Sequence, residues 1–142
     1  MLITITSAEA GAKPVKLADS GSEGVSNYTV DSRRAVQELD FLRALEGDIV
    51  ARGNRRSNLS FSVTRLHRDL REAELFVNTH GQDLPPEGLL TIVCQGFEGA
   101  RTTLYLSAVL TADKGSYHGC STFFTYQLTG KGALSKTKPA VG

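Results

Sequence analysis

Three histidines and two cysteines are the side chains of this sequence best suited to bind a transition metal or to act as a thiol nucleophile. They are His67, His80, His118, Cys94 and Cys120. No two histidines have the i, i+4 spacing of a helical zinc site, and neither cysteine has a CxxC neighbour. We therefore predict no metal site. His80 is expected at the end of a helix, where the dipole favours a cation. The cysteines are expected within strands, reduced and packed as small apolar residues, with a disulfide between neighbouring strands as the alternative.

The motifs of common enzyme classes are missing from the sequence. There is no GxSxG or SxxK nucleophile motif, and the glycine-rich run at residues 96–99, GFEG, lacks the lysine of a phosphate-binding loop. The neighbouring carboxylates Glu72 and Glu74 are expected to lie on the surface of a helix. We therefore predict that the chain is not an enzyme and that it has no cofactor.

Composition sets further bounds on the function. The 142 residues carry a net charge of +1, and 40% of them are hydrophobic, as expected for one globular domain. No apolar run approaches the roughly 18 residues of a membrane span, and the first residues do not resemble a signal peptide. Four lysines follow residue 113 without an acid among them, but no motif for sequence-specific nucleic-acid binding accompanies them. We predict a single domain over residues 1–130 and a flexible tail over residues 131–142.

One stretch, residues 58–82, changes from the periodicity of a strand to that of a helix. Leu59, Phe61 and Val63 alternate with polar residues, as in a strand with one buried face. A helix over about residues 69–80 follows, with Asp69 as N-cap and Glu72 completing a capping box. The side of the helix that faces the sheet is predicted to carry Leu70, Ala73, Phe76 and Val77.

The remaining strand signals surround this stretch. Residues 2–6 and 25–30 resemble strands, and residues 11–24 resemble an extended arm or an edge strand. Three further strands are predicted over residues 89–95, 102–110 and 120–128, with a polar turn at residues 111–119. Because the strands follow one another without a βαβ rhythm, we predict a mainly β (α+β) fold. It would be an antiparallel β-sandwich or half-barrel with one flanking helix.

Residues 31–56 are the least regular stretch and can be interpreted in two ways. A helix would place Leu39, Leu42 and Ile49 only loosely on one face. A hairpin would pair residues 35–43 with residues 48–51 around a turn at 45–47. We favour a long projecting hairpin or loop over about residues 31–57. From residue 31 to residue 101 every basic residue is arginine, which is enriched in protein interfaces, although a genomic bias explains this pattern equally well.

The order of these elements resembles the tail-tube fold. The similar segments are SFSVTR running into a capped helix, LLTIVCQG, TTLYLSAVLTA and STFFTYQLTG. That family includes phage tail-tube and distal-tail proteins and the inner tubes of contractile injection systems. The resemblance implies a structural subunit that assembles into rings, most plausibly hexameric, which stack into a tube. A single-ring tail cap, distal-tail or terminator protein of the same fold is the alternative, and a monomeric ligand-binding β module is the alternative of another class.

The resemblance also implies partners and a location. The chain would assemble with itself and with other tail or baseplate proteins, in a virion tail built in the host cytoplasm. DNA would only pass non-specifically through a lumen, and no membrane would be involved. The subunit interface would lie on the charged stretch, with the candidate residues Arg33, Arg34, Arg43, Asp48, Arg52, Arg55 and Arg56.

Overall fold

A computed structural model of the chain describes residues 1–19, 23–39 and 48–139, and at residues 33–39, 48–55 and 97 it describes the backbone alone. Seven strands, one α-helix and a 3-10 turn at Phe97–Gly99 make up the described part. In chain order these are β1 (Leu2–Ser7), β2 (Val15–Ala18), β3 (Glu23–Leu39), β4 (Asp48–Leu66), α1 (Leu70–Asp83), β5 (Glu87–Gln95), β6 (Arg101–His118) and β7 (Ser121–Lys131).

All seven strands belong to one antiparallel sheet in the order β2-β1-β5-β6-β7-β4-β3. The sheet is not closed into a barrel, and β2 and β3 are its edge strands. Nevertheless, Leu17 of β2 and Val25 and Tyr28 of β3 pack into the same core, because the sheet curls around its buried face. The predicted class, a mainly β antiparallel fold with one flanking helix and a long hairpin, is confirmed in its half-barrel form.

Strict alternation of side chains builds the core on one face of the sheet. Leu59, Phe61 and Val63 of β4 are buried, and their partners in β7 are Leu128, Tyr126 and Phe124. The largest fully buried side chains are Tyr126, Phe61, Phe124, Ile3, Ile5, Leu17, Leu59, Leu90, Ile92, Leu106, Leu128 and Val63. Burial of each such side chain stabilises the fold by about 1.5–3 kcal/mol. The opposite face carries mainly hydroxyl side chains, such as those of Ser62 and Thr125, which lie 3.2 Å apart.

Helix α1 begins as predicted and ends later. The carboxylate of Asp69 accepts a hydrogen bond of 2.8 Å from the backbone N–H of Glu72, so the predicted N-cap is confirmed. The helix continues past Gly81 to Asp83, and extended backbone at Leu84, which precedes Pro85, ends it. Of the four residues predicted to face the sheet, Ala73 is buried and Phe76 and Val77 pack against the core. The prediction for Leu70 is wrong, because that side chain is 49% exposed.

Strand β6 is much longer than predicted. The expected polar turn at residues 111–119 is wrong, because these residues continue β6 and pair with β7 from Ala112 to His118. A bulge after Leu110 shifts the register once. A side chain at Gly115 would place its Cβ 2.4 Å from the ring of Phe124, so glycine lets this ring lie over the strand. The turn is shortened to Gly119 and Cys120, and Cys120 therefore lies in a turn rather than in a strand.

For residues 31–39 and 48–56 the hairpin interpretation is confirmed, and the predicted turn at residues 45–47 lies outside the described residues. Strands β3 and β4 pair from Glu23 with Arg65 to Leu39 with Asp48. The residues after β7 continue along β6, and Tyr105 and Ser135 exchange two backbone hydrogen bonds of 2.8 and 3.0 Å. The flexibility of residues 131–142 remains a prediction.

Candidate assembly surface

The outer part of the β3–β4 hairpin extends beyond the rest of the sheet. Strand β7 pairs with β4 only from Arg56 to Leu66, whereas β3 pairs with β4 as far as Asp48. Residues 33–39 and 48–55, which we call the ribbon, thus form a two-stranded segment with no third strand among the described residues. Eight residues of β4 precede Arg56 in the ribbon, which corresponds to about 27 Å of extended chain.

The root of the ribbon carries an irregularity that marks where it leaves the sheet. Arg33 pairs with Arg56 and Ala35 pairs with Arg52, so β4 contains two more residues than β3 between these pairs. Extra residues of this kind bend a strand and increase its twist. The irregularity lies next to the last pair between β4 and β7, which joins Arg56 and Lys131.

Six of the seven predicted interface residues lie on the ribbon or at its root. The backbones of Arg33, Arg34, Asp48, Arg52 and Arg55 belong to the two strands of the ribbon. Arg56 stands at the root with an exposed side chain. Arg43 lies outside the described residues. The role of these residues in an interface remains a prediction.

The other edge of the sheet, strand β2, is covered by a buried ion pair. The guanidinium of Arg65 donates from Nε to a Glu23 carboxylate oxygen at 2.9 Å and from Nη2 to the backbone carbonyl of Leu17 in β2. The same carboxylate accepts a 2.6 Å bond from the backbone N–H of Asp19. Arg65 is 4% exposed, so this contact lies within the fold. Strand β2 is therefore shielded from pairing with another chain, as protected sheet edges commonly are.

A cluster of aromatic rings under helix α1 encloses His80. Its ring stacks on Phe76 with a centroid distance of 4.4 Å and lies edge-on to Phe124 at 4.9 Å. A hydrogen bond of 2.7 Å links its Nε2 to the hydroxyl of Tyr126. Burial, with a contribution from the Arg65 cation, lowers the pKa of His80 to about 4. The expectation that His80 is a cation favoured by the helix dipole is therefore wrong, because the imidazole is neutral at pH 7.

Burial also shifts the pKa of the tyrosine in this cluster. It raises the pKa of Tyr126 to about 12, although the Arg65 cation acts in the opposite direction. The hydrogen bond between Tyr126 and His80 thus joins two neutral groups across the helix–sheet interface. Buried polar groups that are paired in this way fix one arrangement of a core, because leaving either unpaired is costly.

The far end of the molecule from the ribbon carries a group of exposed apolar side chains. Here β4 ends, α1 begins and the β6–β7 hairpin turns. Leu66 is 75% exposed and Leu75 is 63% exposed. We call this group the distal patch, and its members are Leu66, Leu70, Leu75, Tyr117 and Phe123. Leu66 and Leu75 line an open cavity of about 380 Å³, and Tyr117 is held to the helix by a 3.0 Å bond from its hydroxyl to Glu74.

The residues first considered for metal or thiol chemistry are not brought together. His67 bonds to Thr122 through Nε2 at 2.8 Å, and His80 bonds to Tyr126. Cys94 and Cys120 are free and half-buried. Across residues 1–19, 23–39 and 48–139, no group of three or more His, Cys, Asp or Glu side chains is placed to hold a metal ion. In the same residues, no helix is both long and apolar enough to cross a bilayer.

Comparison with known proteins gives matches to solved structures. No protein-family model and no curated protein matches the chain. Seven chains of solved structures do match. One is described as the tail of an empty GTA particle, computed with helical refinement in C6 symmetry. It is 16% identical to this chain, and the alignment covers 97% of this chain and 96% of that one with a TM-score of 0.49.

Proposed function

We propose that this chain is a structural subunit of a phage tail or tail-like injection machine. It assembles with copies of itself into rings, most plausibly hexameric, and the rings stack into a tube. Other tail or baseplate proteins would join the assembly, DNA would pass through the lumen without specific contacts, and the chain would act without catalysis or a cofactor. The sequence resemblance to the tail-tube fold motivates this proposal, and the ribbon is the observation that carries it.

The ribbon supports assembly because it is poorly suited to exist alone. Isolated two-stranded hairpins are marginally stable in water, and unpaired strand edges are templates for pairing with another chain. Over residues 33–39 and 48–55 the described structure supplies no covering element. A neighbouring subunit that packs on the ribbon would bury these edges and hold the ribbon in place.

The contrast between the two edges of the sheet also supports assembly. Arg65 and Glu23 shield β2, whereas β3 pairs along its described length only with β4. A chain with one protected and one open edge is suited to contacts between different surfaces on successive copies. Contacts of this heterologous kind close into rings when the rotation between copies allows it.

Shortening the ribbon tests the proposal. Because Ala35 pairs with Arg52, residues 36–51 can be replaced by Asn-Gly, which closes a two-residue hairpin. A matched control replaces residues 40–47 by Asn-Gly between the paired residues Leu39 and Asp48, and so keeps the ribbon. Sedimentation velocity should show rings for the wild type and the control, and a folded monomer of 15.3 kDa for the short-ribbon variant. A monomeric wild type at tens of micromolar protein would contradict the proposal.

A monomeric ligand-binding module is the second candidate, and one observation favours it. An open groove of about 510 Å³ lies on the hydroxyl-bearing face of the sheet, a volume within the range of small-molecule sites. Leu89 and Val109 lie on its floor, and Lys131 and Lys138 stand beside it. A wild-type monomer in the same sedimentation experiment would favour this candidate. A single-ring cap or terminator would instead give rings that negative-stain images never show stacked.

A further inference from the structure

Helix α1 is attached to the sheet by few buried side chains. Of its 14 residues only Ala73 and His80 are buried, and Phe76 and Val77 are partly buried against the core. Leu75, near the middle of the helix, is 63% exposed. Most of the stability of a helix in a protein comes from packing of its apolar face rather than from helix propensity. The position of α1 therefore depends on these few contacts.

The sheet is continuous without the helix. All seven strands pair directly with their neighbours in the sheet, and α1 lies outside this ladder. Residues 67–69 connect β4 to the helix, and residues 84–86 connect the helix to β5. Extended backbone at Asp69 and at Leu84 bounds the helix at its two ends. A unit with such boundaries and few buried contacts can open locally at a lower free energy than the whole fold requires.

His80 joins the last turns of α1 to the sheet. Its Nε2 and the hydroxyl of Tyr126 in β7 form the 2.7 Å hydrogen bond already described. The imidazole stacks on Phe76 of the helix and lies edge-on to Phe124 of the sheet. The helix cannot leave the sheet without breaking this hydrogen bond and separating the rings, so release of α1 returns the imidazole to water.

A second cation faces the same rings. The guanidinium carbon of Arg65 in β4 lies 5.0 Å from the centre of the Phe76 ring and 5.8 Å from that of Phe124. It also lies 5.9 Å from the ring centre of Tyr126. Arg65 is buried and cannot move its charge into water while the sheet is intact. A proton on His80 would thus place two cations around one set of rings.

The other ionisable groups around His80 do not compensate for this charge. Asp83 on the helix and Asp113 on β6 favour the protonated form, but burial and the Arg65 cation outweigh them. Glu23 of β3 already accepts a hydrogen bond from Arg65. His67, which follows β4, lies against the ring of Phe76 with a centroid distance of 4.9 Å and carries no negative charge. The site therefore accommodates His80 only as a neutral group.

We propose that α1 is an acid-released helix: protonation of His80 displaces it from the sheet as a unit, while the seven strands remain paired. The displacement uncovers the rings of Phe124 and Tyr126, which are buried when the helix is in place. It is a property of the single subunit and does not depend on the proposed assembly.

The direction and size of the effect follow from proton binding. In the released helix the pKa of His80 has its ordinary value of 6.5, whereas burial in the closed position lowers the pKa to about 4. The open form therefore binds the proton more tightly, and its share rises as the pH falls from 6.5 towards 4. From pH 7.5 to pH 4.5 the ratio of open to closed molecules increases about 70-fold.

Hydrogen exchange followed by mass spectrometry measures this opening in the full chain. Peptic fragments that contain α1 are compared with fragments that contain β5, which pairs with β1 and β6 on its two sides. At pH 7.5 the protection of the α1 amides should be at least about tenfold lower than that of the β5 amides, because the helix opens locally. At pH 4.5 the protection of α1, corrected for intrinsic exchange rates, should be lower by about a further 70-fold.

Two variants identify the group that is responsible. His80→Gln removes the titration and keeps a side chain able to bond to Tyr126, so its α1 protection should fall about 70-fold less than that of the wild type. Asp83 and Asp113 titrate in both proteins, and their effects cancel in this comparison. The matched control His118→Gln changes an exposed histidine of the β6–β7 hairpin and should behave as the wild type does.

Two results would overturn the proposal. Equal protection of α1 and β5 in the wild type at both pH values would mean that the helix leaves only when the whole fold unfolds, whether or not His80→Gln folds. The same fall of α1 protection in the wild type and in His80→Gln would mean that the helix opens without releasing His80. Either result leaves the proposed function intact, because assembly is measured separately by sedimentation.

Discussion

The neutral, buried state of His80 makes the stability of the fold depend on pH in a defined direction. The folded pKa is about 4, and the ordinary value is 6.5. Between these values the unfolded chain binds a proton that the folded chain excludes. Stability therefore rises with pH in this range. The contribution of His80 is fully present above pH 6.5 and is lost as the pH falls towards 4.

The size of the effect follows from the difference between the two pKa values. Each unit is worth about 1.4 kcal/mol, so protonation of the unfolded chain removes about 3 kcal/mol of stability at pH 4. The surroundings of His80 in the folded protein explain why its charged form is unfavourable. A charged imidazole would lie between Phe76 and Phe124, against the Arg65 cation, and only Asp83 and Asp113 act in the opposite direction. A loss of this size is a substantial part of the stability of a single domain.

Urea unfolding at several pH values from 7.5 to 4.5 measures this contribution. The control variant is His80→Gln, which removes the titration and keeps a side chain able to bond to Tyr126. Both proteins retain His67 and His118, so the contributions of those residues cancel in the comparison. We expect the wild type to lose about 2.5 kcal/mol more than the variant as the pH falls from 7.5 to 4.5. Equal pH dependence in the two proteins, or an NMR titration of His80 near pH 6.5, would refute the reasoning.

Three further predictions concern single positions. Asp69→Ala removes the N-cap bond to Glu72 and should lower the free energy of unfolding by about 1 kcal/mol in urea denaturation, with the protein still folded. Phe76→Ala removes a ring that contacts His67, His80 and Phe124. Thermal melts should show that this variant loses about 3 kcal/mol of stability. A loss no larger than that of Asp69→Ala would mean that the helix packs elsewhere. Gly88→Ala would bring a Cβ to 2.1 Å from the backbone carbonyl oxygen of Thr6 and should therefore separate β1 from β5. Hydrogen exchange should then show fast exchange of the Ile3 and Ile5 amides. The control variant Gly24→Ala, whose Cβ meets no atom within 4 Å, should not show it.

Local periodicity was sufficient to predict those strands and helices whose pattern of buried side chains is complete within the element itself. The alternation of Leu59, Phe61 and Val63 and the capped start of α1 both depend on neighbours in sequence. The far half of β6 could not be predicted in this way. Its residues are polar and include Gly115, and they are held in a strand by pairing with β7 and by the ring of Phe124 over that glycine.

The candidate surface was only partly accessible to sequence reasoning. Arg65 follows Val63 at the spacing that places it on the buried face, but its partner Glu23 lies 42 residues earlier in the chain. His80 lies on the same side of α1 as Ala73 and Phe76, and its burial depends on Tyr126 of a strand 46 residues later. The apolar character of Leu66, Leu70 and Leu75 is visible in sequence. Their exposure at one end of the molecule, opposite the ribbon, depends on the complete sheet.

The alternating geometry of the ribbon determines how its length can change. Adding one residue to each strand turns every side chain beyond the insertion to the opposite face, whereas adding two restores the faces and moves the end outward by about 7 Å. Insertions that keep each side chain of the ribbon on its original face therefore come in steps of four residues per hairpin. If the ribbon joins successive subunits, homologous chains should differ in hairpin length by multiples of four, with the spacing of their subunits changing in matching increments.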